Sequence, residues 1–156
     1  MSVFLVDEAA TAELARRFLA CLPEDCAGWT VLLNGELGAG KSTFARALIK
    51  AAGHDGPVPS PTYTLVEPYS LPRGNFYHVD LYRVAGEEEL RYLGWKELDD
   101  GCRLVEWPDR APGLAGTADV DVTLHYEGTG RRAELTGLSD RGRALVEALA
   151  ASDSLD

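Results

Sequence analysis

Gly35-Glu36-Leu37-Gly38-Ala39-Gly40-Lys41-Ser42 decides the fold of this chain. It matches G-x-x-x-x-G-K-[ST] at every fixed position, and each position has a physical task. Glycines accept positive φ and let the backbone come close to a ligand. Successive N–H groups then form an anion nest at the positive end of the next helix. The Lys41 ammonium can reach β- and γ-phosphates, and the Ser42 hydroxyl can ligate Mg²⁺, which takes few protein ligands. Four fixed positions match by chance in roughly one chain in two hundred of this length, so the flanks matter. Trp29–Leu33 before the motif is a short apolar run that suits a buried strand. Lys41–Ala52 after it reads as a helix, ended by Gly53. Strand, glycine turn and helix together predict a phosphate-binding loop rather than a bare turn.

Working outward, Val3–Val6 reads as a strand. Asp7–Leu22 reads as a helix, with Asp7 as N-cap and Leu14, Phe18 and Leu22 on one face. Thr62–Tyr69 and Asn75–Tyr82 read as strands joined by a turn at Leu71-Pro72-Arg73-Gly74. Gly86–Tyr92 reads as a short acidic helix and Arg103–Trp107 as another buried strand. Asp119–His125 alternates apolar and polar residues and can pair with Arg131–Leu135. Ser139–Ala151 closes as a helix capped by Ser139 or Asp140. The pattern predicts one α/β domain over residues 1–156: a P-loop NTPase-like fold with a central mixed sheet flanked by helices.

Two acids stand at strand ends beside this loop. Asp80 ends Phe76-Tyr77-His78-Val79-Asp80, and Glu106 ends Leu104-Val105-Glu106. Ligands of open α/β sheets gather at the carboxyl ends of strands, so either acid can face a Mg²⁺ ion. Hydrolysis needs such a metal-holding acid and a group that positions water. In an acidic protein the same residues also fit a plain solvated surface. Ser60-Pro61-Thr62-Tyr63-Thr64 suits a hydroxyl-bearing loop that senses a γ-phosphate, or a proline-started strand. His78 suits proton transfer or a hydrogen-bonded strand position. Trp107 suits the core or a contact surface.

The chain has 156 residues, enough for one domain with a core. Acids outnumber bases 25 to 15, a formal charge of −10, which opposes direct binding to a phosphate backbone. No run of about 18 apolar residues occurs, which predicts no membrane helix. The first residues show no basic stretch followed by an apolar one, so no signal peptide is expected. Cys21, Cys26 and Cys102 lack metal-site spacing and are expected as reduced thiols in the cytoplasm. Asn-Lys-x-Asp, the guanine-reading motif, is absent, which leans towards ATP.

The motifs 35–43, Ser60-Pro61-Thr62-Tyr63-Thr64-Leu65-Val66, His78-Val79-Asp80-Leu81-Tyr82-Arg83 and Glu106-Trp107-Pro108 occur in this order. Together they resemble the bacterial TsaE family, also called YjeE, from the first helix to Arg131. The resemblance implies an ATPase that serves formation of N6-threonylcarbamoyladenosine (t6A) at tRNA position 37, with a TsaB–TsaD heterodimer as partner. It implies contact with tRNA only through those partners, and no membrane. It implies ATP and Mg²⁺ as cofactors, with the ion held by Ser42 and Glu106. Lys41, Asp80 and Glu106 are then catalytic, and Trp107 matches a position that matters for activity. Nucleotide is cradled by Gly35, Glu36, Leu37, Gly38, Ala39, Gly40, Lys41, Ser42 and Thr43, with Thr11 and Arg131 near it. The family usually carries Thr where Ser42 stands, which keeps the hydroxyl. Two other readings share these parts. One is a small-molecule kinase, although the arginines are dispersed and only Arg131-Arg132 forms a late pair for a lid. The other is a nucleotide-dependent binding switch without significant turnover.

Overall fold

A computed structural model describes residues 1–62 and 64–153. Tyr63, in an expected strand and an expected sensing loop, lies outside the described residues, as do residues 154–156 of the expected domain. Strands β1 (Ser2–Leu5), β2 (Thr30–Gly35), β3 (Val66–Leu71), β4 (Gly74–Asp80), β5 (Cys102–Glu106), β6 (Val120–Glu127) and β7 (Gly130–Gly137) form one 7-stranded sheet. Helices α1 (Glu8–Cys21), α2 (Lys41–Ala51) and α3 (Asp140–Asp153) pack beside it. The spatial order is β1-β7-β6-β2-β5-β4-β3. The middle strands β6, β2, β5 and β4 run parallel, and β3, β7 and β1 are antiparallel additions at the edges. The mixed α/β sheet expected from sequence is therefore present.

Burial follows this order. Every residue of β5 is buried, and β2 is buried through its first four residues, as strands covered on both faces must be. β6 alternates buried and less buried positions in its first half. On one face, α1 and α2 set Leu14, Phe18, Phe44 and Leu48 against Val31, Leu33 and Leu104. The rings of Phe18 and Phe44 meet edge to face, with centroids 5.7 Å apart. On the other face, Leu32, Val79 and Val105 meet Leu90, Leu98 and Leu114. Those last three come from short 3₁₀ helices, not α-helices. The acidic segment expected as a helix over 86–92 is the first of them, Glu87–Leu93, and it buries only Leu90. With one apolar anchor and three adjacent glutamates, it lacks the continuous stripe that would carry an α-helix against the sheet.

Helix starts match the sequence. Asp7 caps α1 by accepting from the Ala10 N–H at 2.9 Å. Ser139, the first of two candidates, caps α3 by accepting from the Gly142 N–H at 3.0 Å. The expected turn at 71–74 closes the β3–β4 hairpin, with Leu71 opposite Gly74. Cys26 and Cys102 are buried and Cys21 is partly exposed, all with free thiols. Among the described residues no helix is long and apolar enough to cross a membrane.

Two strand boundaries differ in ways that shape the site. The strand expected from Thr62 begins only at Val66. Before it, the Leu65 N–H donates to the Pro61 carbonyl at 2.8 Å, and Leu65 takes a left-handed φ of 69°. Ser60 Oγ lies 2.7 Å from Thr62 Oγ1 and accepts from the Thr62 N–H at 3.4 Å. Such local hydroxyl bonds compete with a strand ladder and make a turn. The strand expected through Trp107 stops at Glu106, because Trp107 is left-handed at φ 57°. Among the described residues Leu65 and Trp107 are the non-glycine positions with positive φ. Both flank the ends of β4 and β5, where strain of this kind commonly serves a site.

Candidate nucleotide and metal site

The loop leaves β2 at Gly35 and enters α2 at Lys41. Gly35 has φ 145°, and a Cβ there would sit 2.6 Å from the Leu124 carbonyl oxygen. Gly40, at φ 113°, is the N-cap of α2 and offers no side-chain cap. The first N–H groups of α2 therefore have no side-chain acceptor at the cap and stand ready for an anion. From the neighbouring hairpin, the Tyr126 hydroxyl donates to the Leu37 carbonyl at 2.6 Å. Arg131 Nη2 donates to the Gly38 carbonyl at 3.3 Å, and its guanidinium lies 4.2 Å from the Tyr126 ring centroid. Two loop carbonyls are thus engaged from β6 and β7. Gly35→Ala is expected to lower both the melting temperature and nucleotide affinity, because the clash is with backbone and φ is unfavourable. Scanning calorimetry and titration calorimetry check it; a variant equal to the parent in both would refute the close approach.

Lys41 is 4% exposed. Its Nζ donates to the Gly35 carbonyl at 2.5 Å and lies 3.6 Å from the Trp107 ring centroid. Burial pulls the Lys41 pKa below its ordinary value, and the carboxylates of Glu106, Asp80 and Asp109 oppose that pull. The amine is thus set among acids and against an aromatic face, short of a strong anionic partner.

The parallel register places Asp80 beside Glu106, and Leu33 of β2 on the other side of Glu106. Both acids are buried. Their partners differ. Ser42 Oγ is 3.2 and 3.1 Å from the two Glu106 oxygens and donates to them. His78 Nε2 lies 2.5 Å from Glu106 Oε2. Asp80 instead accepts from Thr62 Oγ1 at 3.4 Å and from the Tyr82 N–H at 2.9 Å. Glu106 therefore faces the hydroxyl at the start of α2, and Asp80 faces the turn before β3. Among the described residues no group of three or more His, Cys, Asp and Glu side chains is arranged to hold a metal. A hydroxyl beside a carboxylate is nevertheless a hard-oxygen pair that suits Mg²⁺, whose remaining ligands are ordinarily phosphate and water.

A cavity of about 400 Å³ opens over these groups, lined among others by Lys41, Ser42, Thr62, Asp80, Glu106 and Trp107. Leu37, Gly38, Gly40 and Thr43 border it too. A second cavity of about 290 Å³ meets the loop at Gly38, Ala39, Gly40 and Thr43, and carries Thr11 and Arg131. Gly35 serves as the carbonyl partner of Lys41, while the Glu36 side chain is exposed and its carbonyl closes a turn with the Ala39 N–H at 3.0 Å. Tyr126 reaches the loop without a sequence motif to mark it. It stands just past the alternating strand expected over Asp119–His125, and nothing in that position points to the loop. Tyr82, half-exposed, packs against Trp107 with centroids 5.1 Å apart and completes the cavity rim.

Comparison with known proteins is consistent with this arrangement. Residues 5–134 match the family model described as threonylcarbamoyl adenosine biosynthesis protein TsaE. The tRNA threonylcarbamoyladenosine biosynthesis protein TsaE of Haemophilus influenzae is 41% identical over 120 residues, 76% of each chain. The protein of the same name from a Nostoc species is 36% identical over 140 residues, 86% of this chain and 84% of that one. The crystal structure of Bacillus subtilus YdiB superposes with a TM-score of 0.77 at 24% identity, covering 98% of this chain and 95% of that chain, which shows the shared fold. By sequence over most of its length, this chain belongs to the TsaE family of threonylcarbamoyl adenosine biosynthesis proteins.

Proposed function

We propose that this chain is a Mg²⁺-dependent ATPase that supports t6A formation at tRNA position 37 together with a TsaB–TsaD heterodimer, in the cytoplasm. The observation that carries the reading is the meeting of Lys41, Ser42, Asp80 and Glu106 in one cavity at the carboxyl ends of β2, β4 and β5. In this reading the α2 N–H groups and Lys41 cradle the β- and γ-phosphates. Ser42 and Glu106 hold Mg²⁺, which supplies positive charge against the phosphate oxygens when bound. Asp80, tied to Thr62, orients the attacking water. The cavity carrying Thr11 and Arg131 takes the nucleoside end. With a charge of −10, the chain meets tRNA through its partners rather than by its own surface.

Hydrolysis by the isolated protein is expected to be slow, since in this reading the chain is one component of an assembly and its cavity stands open. Phosphate release is to be measured with the chain alone and with a TsaB–TsaD pair, beside t6A formed per enzyme over many turnovers. Release raised by the pair, with no added small acceptor, supports the ATPase and argues against a kinase. Full modification over many turnovers without this chain would overturn the proposed role.

A further inference from the structure

His78 lies on β4 two residues before Asp80, so both side chains leave the strand on the same face. It is fully buried, at 0% exposure. Nε2 is 2.5 Å from Glu106 Oε2. An ionised carboxylate only accepts, so Nε2 carries the hydrogen. Nδ1 is buried without a partner among the described residues. An imidazole that leaves one buried nitrogen unused has a single polar contact to account for its place, and that contact is Glu106. Ser42 donates to either Glu106 oxygen at nearly equal distance and so does not choose between them. His78 does: it engages Oε2, and the contact that Oε1 keeps is the one with Ser42.

We infer that His78 is a positioning residue that fixes the Glu106 carboxylate for the metal, a role that rests on the Mg²⁺ reading above. Partners behind a metal ligand commonly change metal affinity roughly 10–100-fold when removed. The test is nucleotide binding by calorimetry, with and without Mg²⁺, and Mn²⁺ binding in the presence of ADP by electron paramagnetic resonance. His78→Leu keeps bulk and removes the donor. It is expected to retain metal-free nucleotide affinity and to lose roughly tenfold in metal affinity. His78→Gln, whose amide nitrogen can reach Glu106, is expected to recover most of that loss, and the shorter His78→Asn is not. If the Leu variant does not fold, the Gln and Asn pair decides by the same measurements. Wild-type metal affinity in His78→Leu, or equal affinity in the Gln and Asn variants, overturns the inference. A parent protein whose nucleotide binding ignores Mg²⁺ overturns the metal reading itself, and the role of His78 with it.

Discussion

Lys41→Ala is expected to weaken triphosphate binding on the order of a hundredfold, the loss of one or two charge-assisted hydrogen bonds in a cavity partly shielded from water. The chain has three lysines, Lys41, Lys50 and Lys96, and Lys41 alone lines the cavity. Arg46 also borders it, but from an exposed position one turn further along α2. Its reach does not replace an ammonium fixed at the loop. Lys41 rests on the Gly35 carbonyl and the Trp107 face. Burial still pulls the amine below its ordinary pKa, against the opposing pull of Glu106, Asp80 and Asp109. A triphosphate adds negative charge at this point, so in the proposed reading binding is expected to draw Nζ from the ring and leave the indole to repack. Lys41→Met retains the apolar stem over Trp107 and separates lost charge from lost packing. Titration calorimetry on both folded variants is the measurement. Unchanged affinity in either would dismiss this loop as the phosphate cradle.

How much of this was legible in the sequence depended on how local each feature is. The loop was readable because Gly35, Gly38, Gly40, Lys41 and Ser42 act within eight residues, and chain order alone brings them together. Asp80 and Glu106 were readable as strand ends, since apolar runs of the right length precede them. Their division of labour was not. It depends on the register of β4 on β5, and on a turn whose Ser60 and Thr62 hydroxyls bend the chain where the sequence reading places a strand. The sequence fits Trp107 to the core and to the surface alike. The left-handed backbone settles it, because leaving the strand turns the ring over Lys41. Tyr126 reaches Leu37 across 89 residues of sequence, and no spacing rule detects that. The segment 86–92 departs from the expected helix for a related reason: 3₁₀ segments bury isolated leucines and leave no helical period to find.

Glu106→Gln and Asp80→Asn are expected to fail differently, and the hydrogen bonds indicate how. At position 106 a neutral amide still has an oxygen for one neighbour. His78 donates to that group from one side and Ser42 from the other. The His78 hydrogen cannot rotate away, whereas the Ser42 hydroxyl can. The introduced amide must therefore turn its oxygen to His78 and its NH₂ towards Ser42. A donor then faces the place where the cation would sit, and the loss goes beyond one missing negative charge. Mg²⁺ should no longer tighten nucleotide binding, and hydrolysis should fall on the order of a hundredfold or more. At position 80 the neighbours are the Thr62 hydroxyl and the Tyr82 N–H, and an amide oxygen satisfies either. Asp80→Asn should keep its place and keep Mg²⁺-enhanced binding. Turnover should nevertheless drop about 10²- to 10⁴-fold if this carboxylate handles the water. Binding titrations with and without Mg²⁺, beside single-turnover hydrolysis, distinguish the two. Mg²⁺ dependence lost in Asp80→Asn and kept in Glu106→Gln would exchange the assignments. Dependence kept in both would remove the metal from this pair of acids altogether.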